Sequence, residues 1–196
     1  MRSLMTAGVA LDIENVCAYN CAYVAVDHIR VFGESLYIQM NGTGLGFSVE
    51  RQHIAKLPEV AEEFHDTDTV VVVRDSKLGW ATALDEYVRL LYSGKVPKVD
   101  VSKVRPAGAP LKTFGGRASG PEPFALALSN ITNVFRGAAG RKLNSIELHD
   151  VMCYIGECVV VGGVRRTAMI NLSNHSDERM RHAKMGNWYV ENPQRT

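Results

Sequence analysis

Two periods of apolar residues run along this chain, and the places where one gives way to the other mark its elements. Leu148, Val151, Met152, Ile155, Val159 and Val160 recur at steps of three and four, the spacing of one buried helix face, and predict a helix over 144–160. The same period appears in 77–92 through Trp80, Leu84, Val88 and Leu91, with Asp75-Ser76 as the cap and Gly94 as the stop. Residues 124–136 and 2–13 also read as helical, and 178–184 as a short charged helix. Asp27 is placed to cap a helix running to about Met40, with Ile29, Phe32 and Leu36 on its apolar side. Strand-like runs lie at 21–26, 45–50, 69–74, 99–104 and 167–172. The run at 69–74, TVVVVR, reads as a fully buried strand, and in the last one Ala168, Ile170 and Leu172 share a side. Residues 51–68 are polar enough to predict a surface excursion, and 188–196 an open end.

Strands and helices therefore alternate, and the strand runs are too apolar to face water on either side. That pattern predicts an α/β fold with a largely parallel sheet. No internal repeat or low-complexity segment interrupts it. The strand at 167–172 reads as a central strand with no later partner in view.

Composition narrows the function classes. A chain of 196 residues can bury one sizeable core or two small ones, and 46% hydrophobic with 22% charged residues is ordinary for a globular protein. A net charge of +1 gives no global field towards nucleic acid or anionic lipid, so neither a nucleic-acid nor a membrane partner is expected. No apolar run approaches the ~20 residues of a membrane span. The opening MRSLMTAGVAL is followed by DIENV where a cleavage site would stand, so it does not read as a signal peptide. A cytoplasmic location is expected.

Four cysteines, Cys17, Cys21, Cys153 and Cys158, are spaced C-x3-C and C-x4-C. Without a secretory signal they read as thiols rather than as a disulfide framework. A four-thiolate zinc site would want turns between the ligands of each pair. Cys153 and Cys158 instead sit within an apolar helical run, so both read as packing residues and no metal is expected. Cys21 opens a strand beside the polar Asn20, where a thiol can face a pocket.

Two stretches carry ligand chemistry. Gly162-Gly163 breaks the helix over 144–160, and Arg165-Arg166 follows at once: a hinge beside two planar cations suited to phosphates and base edges. Solvated arginines after a helix stop account for the motif equally well. The passage 105–123 is rich in glycine and proline and interleaved with Arg105, Lys112, Phe114 and Arg117, which suits phosphate or nucleotide contact better than a linker. Gly42, Gly44 and Gly46 have the spacing of a nucleotide loop, but in the order helix, glycines, strand, the reverse of the dinucleotide fingerprint. They suit a close backbone approach at a pocket mouth instead.

Taken together, LMTAG (4–8), NVCAYNCAYVAVD (15–27), NGTGLGFSVERQ (41–52), DSKLGW (75–80), DVSKVRPAGAPLKTFGGRASGPEP (100–123), GAAGRKLNSIELHDVMC (137–153), GECVVVGGVRRTAMINLS (156–173) and DERMRHAKMGNWYVENPQR (177–195) resemble the catalytic subunit of the adenosylcobalamin-dependent (class II) ribonucleotide reductases. The likeness is to the monomeric ribonucleoside-triphosphate reductase type, and to an inner portion of a much longer chain. It implies a partial α/β barrel, the first part of that family's ten-stranded barrel, filling 1–196, with an inserted region near the effector site at about 51–123. It implies the replacement of a ribose 2′-hydroxyl by hydrogen through thiyl-radical chemistry, with Cys21 as one thiol of the reducing pair. Asn20, Phe47, Ser48, Gly162, Gly163 and Arg165 would then meet substrate, with VGGVRR as the specificity loop. Asp27, Lys112, Arg117 and Arg166 would meet a deoxynucleotide effector; helix capping alone would also explain Asp27. Cys17 departs from the family pattern, either as a substitution or as a spurious partner for Cys21.

The resemblance further implies adenosylcobalamin as cofactor, bound mainly by parts of the enzyme outside this stretch, and a thioredoxin-type reductant. The family's radical cysteine, its glutamate partner and its second redox cysteine have no counterpart here. The chain alone is therefore expected to be inactive, and to need the remaining portion of the reductase as a separate chain or as missing sequence. Two alternatives fit the same residues: a nucleotide-binding module without catalysis, or a structural half that docks on a complementary chain.

Overall fold

The computed structural model describes residues 7–111, 117–160 and 168–195. It contains two parallel sheets, β1-β2-β5 and β3-β4, joined by helices that share one hydrophobic core. In chain order the first elements are α1 (Val9–Ile13), β1 (Cys21–Ala25), α2 (Val31–Met40), β2 (Gly44–Ser48) and α3 (Arg51–Ile54). Next come β3 (His65–Val72), α4 (Lys77–Tyr92) and β4 (Lys95–Asp100). The remainder is α5 (Glu122–Gly137), α6 (Ser145–Val160), β5 (Met169–Leu172), α7 (Glu178–Arg181) and α8 (Trp188–Glu191). No helix among the described residues is long and apolar enough to cross a membrane.

In the larger sheet, β2 lies between β1 and β5. Cys21 pairs with Gly44, Tyr23 with Gly46, Leu45 with Met169, and Gly46 with Ile170. Because successive side chains point to opposite faces, this register sorts the sheet into two sides. Leu45, Phe47 and Val49 face the helices and are buried against the core that includes Phe32 and Leu36 of α2 and Leu148, Met152 and Ile155 of α6. Cys21, Tyr23, Gly44, Gly46, Ile170 and Leu172 line the other side, which is open: Tyr23 and Ile170 are 54% and 64% exposed. Parallel sheets are ordinarily covered on both faces. Among the described residues, this one presents a bare face with two glycines along its central strand.

The second unit, β3-α4-β4, abuts the first through helix contact. Gly33 of α2 lies so close to α4 that a Cβ there would stand 2.7 Å from the Ala81 carbonyl oxygen. Trp80 packs on Phe124 (ring centroids 4.8 Å apart), and Tyr92 meets Phe135 edge-on at 4.9 Å, which fuses α4 with α5. The Tyr87 and Thr132 hydroxyls hydrogen-bond at 2.7 Å inside that interface.

Several expectations need correction. The valine run is not buried on both sides: Val71 and Val73 are fully buried, but Val70 and Val72 are 48% and 40% exposed, since α4 covers only one face of a two-stranded sheet. Residues 51–68 are not a polar excursion. Arg51–Ile54 is helical, Leu57 and Val60 reach the core, and β3 already starts at His65. β4 begins at Lys95 rather than at 99, directly after Gly94, which turns the chain at φ 76°. β5 is an edge strand among the described residues, not a central one. Asp27 caps nothing: α2 starts at Val31 after Arg30, and the Asp27 carboxylate pairs with Lys56 instead. The C-terminal passage is not open either, because α8 and a 3-10 turn at Pro193–Arg195 bring Arg195 back onto α6.

Candidate functional site

The amino end of the three-stranded sheet brings together the residues with the most distinctive chemistry. Cys21, first residue of β1, is an exposed free thiol. The Asn20 side-chain amide donates to its sulfur at 3.4 Å, and the Asn20 carbonyl accepts from Gly44 N–H at 3.0 Å, which fixes the entry of β1 against β2. Gly44 leaves open the space beside the sulfur. A Cβ built there would stand 3.8 Å from Cys21 Sγ, 3.6 Å from the Asn20 carbonyl oxygen and 3.6 Å from the Ala168 carbonyl oxygen. Ala168 in turn accepts from Leu45 N–H at 2.9 Å. The thiol, the bare backbone of Gly44 and the residue leading into β5 thus lie side by side across three strands.

The other three cysteines are of a different kind. Cys17 is fully buried, and its thiol donates to the Glu14 carbonyl at 2.8 Å. Cys153 and Cys158 are buried in α6, and burial pushes both thiols up to about 12, so neither is an available thiolate at neutral pH. No group of three or more metal-ligating side chains gathers among the described residues.

The remaining expected site residues separate. Ser48 lies on the thiol's side of β2 but is fully buried, and its hydroxyl donates to Glu50 at 2.9 Å. Phe47 is a correction: strand alternation turns it to the helix side, where it is 1% exposed and tilted against the His149 ring at 6.0 Å, so its side chain is core. Asp27 lies past the carboxyl end of β1, where the hydrogen bond from Lys56 at 2.9 Å holds its carboxyl below the usual range. Arg117 donates to the Gly108 carbonyl at 2.9 Å and forms an isolated bridge with Pro110. Lys112, Gly162, Gly163, Arg165 and Arg166 lie outside the described residues.

Sequence reasoning missed a part-buried charged cluster behind the sheet. Arg195 Nε and Nη2 donate to the two Asp150 oxygens at 2.7 and 2.6 Å, and Arg195 Nη1 donates to the Ala183 carbonyl at 3.0 Å. His149 Nδ1 is 3.2 Å from the same carboxylate, and Cys153 Sγ is 3.7 Å from both ring nitrogens. Burial alone would raise the Asp150 carboxyl, but the hydrogen bonds from Arg195 and His149 outweigh it and hold the group below its ordinary range. Cysteine, histidine and aspartate in sequence suggest a nucleophile relay. The geometry argues otherwise: the sulfur sits equidistant from both nitrogens, and its thiol is pushed upwards. The cluster ties the chain's C-terminal passage to α6. Residues 45 positions apart with no local motif gave no signal in the sequence.

Comparison with known proteins identifies the class of this fold. Residues 49–135 match the family model described as the insertion domain of B12-dependent ribonucleotide reductase. Over 97% of its length the chain superposes on a crystal structure of a B12-dependent (class II) ribonucleotide reductase with a TM-score of 0.78, at 21% identity and covering 33% of that chain. The chain is thus homologous to the class II ribonucleotide reductases.

More particularly, its curated relatives are ribonucleoside-triphosphate reductases. An adenosylcobalamin-dependent ribonucleoside-triphosphate reductase of Lactobacillus delbrueckii subsp. bulgaricus is 30% identical over 174 residues, covering 71% of this chain and 24% of the relative. A putative enzyme of the same description from Mycobacterium phage D29 is 31% identical over 179 residues, covering 70% of this chain and 26% of the relative. The chain therefore spans about a quarter of the length of the curated relatives it matches.

The relatives are named for adenosylcobalamin, and neither of two depressions among the described residues has room for that group. The depressions measure about 360 Å³, lined by Arg51, Gln52, Asn174 and Ser176, and about 340 Å³, between α5 and α6. Those are volumes for a drug-sized ligand or less, at the small end of pockets of about 300–1,000 Å³. A corrinoid with its nucleotide tail is much larger, and neither depression adjoins Cys21.

Proposed function

We propose that this chain furnishes one wall of the reducing site in a ribonucleoside-triphosphate (or diphosphate) reductase, with Cys21 as one thiol of the redox pair. The observation that carries this reading is the position of Cys21: an exposed thiol on the bare face of a parallel sheet, beside a glycine that leaves room for a ligand. Asn20 would orient the sulfur. The segment holding Gly162, Gly163 and Arg165 would read the nucleotide base, since its described neighbour Ala168 is anchored to β2 on the side away from the thiol's strand, at the same end of the sheet. Asp27, Lys112, Arg117 and Arg166, with the region 51–123, would serve the deoxynucleotide effector.

The chemistry fixes what else is needed. Replacing the ribose 2′-hydroxyl by hydrogen breaks one C–O bond, forms one C–H bond and releases water, consuming two electrons and two protons. Two thiols supply these by closing a disulfide, which a thioredoxin-type dithiol then reopens. Cys17, Cys153 and Cys158 are buried, so this chain offers one thiol where the reaction consumes two. The second thiol, the radical cysteine and the cobalamin site would come from the remaining portion of the reductase, seated on the bare face and open edges of β1 and β5. On this reading the 196-residue chain alone makes no deoxynucleotide.

Incubating it with nucleoside triphosphate, adenosylcobalamin and a dithiol should give no product, and adding the complementary part of a related reductase should restore it. Turnover by the chain alone would refute the proposal, as would restored turnover that survives Cys21→Ser.

A further inference from the structure

On the helix side of the same sheet, away from the thiol, polar side chains lie buried without partners. Gln39, in the last turn of α2, is 1% exposed, and among the described residues neither its amide nitrogen nor its amide oxygen has a hydrogen-bond partner. One turn earlier the Ser35 hydroxyl is fully buried and equally unpaired. On β5 the Asn171 amide nitrogen is buried and unpaired as well.

Ser35 and Gln39, four residues apart, share one face of α2, and Gln39 reaches a seam with two other elements. A Cβ on Gly156 of α6 would stand 3.2 Å from Gln39 Oε1 and 3.1 Å from Met169 Sδ, so α2, α6 and β5 meet at that glycine. Asn171 shares the helix-facing side of β5 with Met169, since Met169 pairs with Leu45 and Asn171 with Phe47, both of which face the core. α2 connects two parallel strands and so runs antiparallel to them. Stepping back one turn from Gln39 to Ser35 covers about 6 Å. Stepping from Met169 to Asn171 covers about 6.6 Å in the same direction. Ser35 and Asn171 are therefore displaced by a similar amount, in the same direction, from Gln39 and Met169.

Native proteins rarely leave such groups unpaired, because each forfeits its hydration without compensation. We propose that the α2–α6–β5 seam is an internal hydration site in which ordered water bridges the Gln39 amide, the Ser35 hydroxyl and the Asn171 amide nitrogen. Neutral amides and a hydroxyl, with a thioether and no carboxylate among them, suit water rather than a cation. This inference is independent of the role given to Cys21.

A high-resolution crystal structure of the 196-residue chain should place ordered water within about 2.7–3.2 Å of a Gln39 amide atom and of Ser35 Oγ. A dry seam there overturns the proposal. In solution, Gln39→Met and Ser35→Ala should each lower the melting temperature by about 2–4 °C. The double variant should lose less than the sum, because both changes remove the same water network. A Gln39→Met variant that melts higher than the parent, or strict additivity of the two changes, would also overturn it.

Discussion

Cys21 and Gly44 face each other across adjacent parallel strands, and a side chain on Gly44 would come within 3.8 Å of the Cys21 sulfur. This pairing gives the thiol its access. Contacts of 3.6–3.8 Å are ordinary van der Waals distances, so a Cβ fits at position 44 without forcing the backbone. Gly44→Ala should therefore leave the melting temperature nearly unchanged while slowing alkylation of Cys21 by iodoacetamide several-fold, since thiol reactivity follows access. Alkylation at the parent rate would show that the glycine does not govern the approach.

The four cysteines should separate cleanly by reactivity. In the native chain, a chromogenic disulfide reagent at neutral pH should titrate one thiol quickly, and Cys21→Ser should abolish that phase. Cys153 and Cys158, both pushed up to about 12, and the buried Cys17 should react only in denaturant. A second fast thiol in the native protein would contradict the assignment of these three to packing.

How much of this was legible in the sequence depended on whether the signal was local. The helix Lys77–Tyr92 could be read from its apolar spacing and from Ser76, whose hydroxyl accepts from Gly79 N–H at 2.9 Å as a cap should. The thiol at the head of a strand was likewise visible. Which face of that strand is covered was not. Phe47 and Cys21 lie on opposite sides because of a register between strands far apart in sequence, and a period of two cannot say which side the helices take. The valine run misled for the same reason, since four valines in a row look alike whether one face of the sheet is covered or both.

Phe47 tests that correction. As a core residue packed against His149, it should cost roughly 3–5 kcal/mol when truncated to alanine and markedly less when changed to leucine. Thermal or urea denaturation would measure both. A small loss of stability in Phe47→Ala would return the ring to the candidate ligand face.

The Asp150–Arg195 pair should dominate the acid limb of stability. Both side chains are about one-eighth exposed (13% and 12%), so leaving either charge unpaired should cost roughly 3 kcal/mol. Because the folded carboxyl is held below its unfolded value of about 3.9, the contribution is complete above that value and disappears as pH falls through the lower folded pKa. Melting curves from pH 7 down to about pH 2 should steepen below about pH 4, and Asp150→Asn should flatten that limb while lowering stability at neutral pH. His149 and Arg195 face the same carboxylate, so Arg195→Lys should retain part of the effect. An unchanged acid limb in Asp150→Asn would remove the cluster from the account.

The most direct measurement of the reading given to Cys21 is a single turnover in the presence of the complementary part of the reductase, without external reductant, followed by mass-spectrometric mapping of disulfides. One new disulfide containing Cys21 should appear for each deoxynucleotide formed, and Cys21→Ser should yield neither. Stoichiometric product with Cys21 still a free thiol would contradict the account.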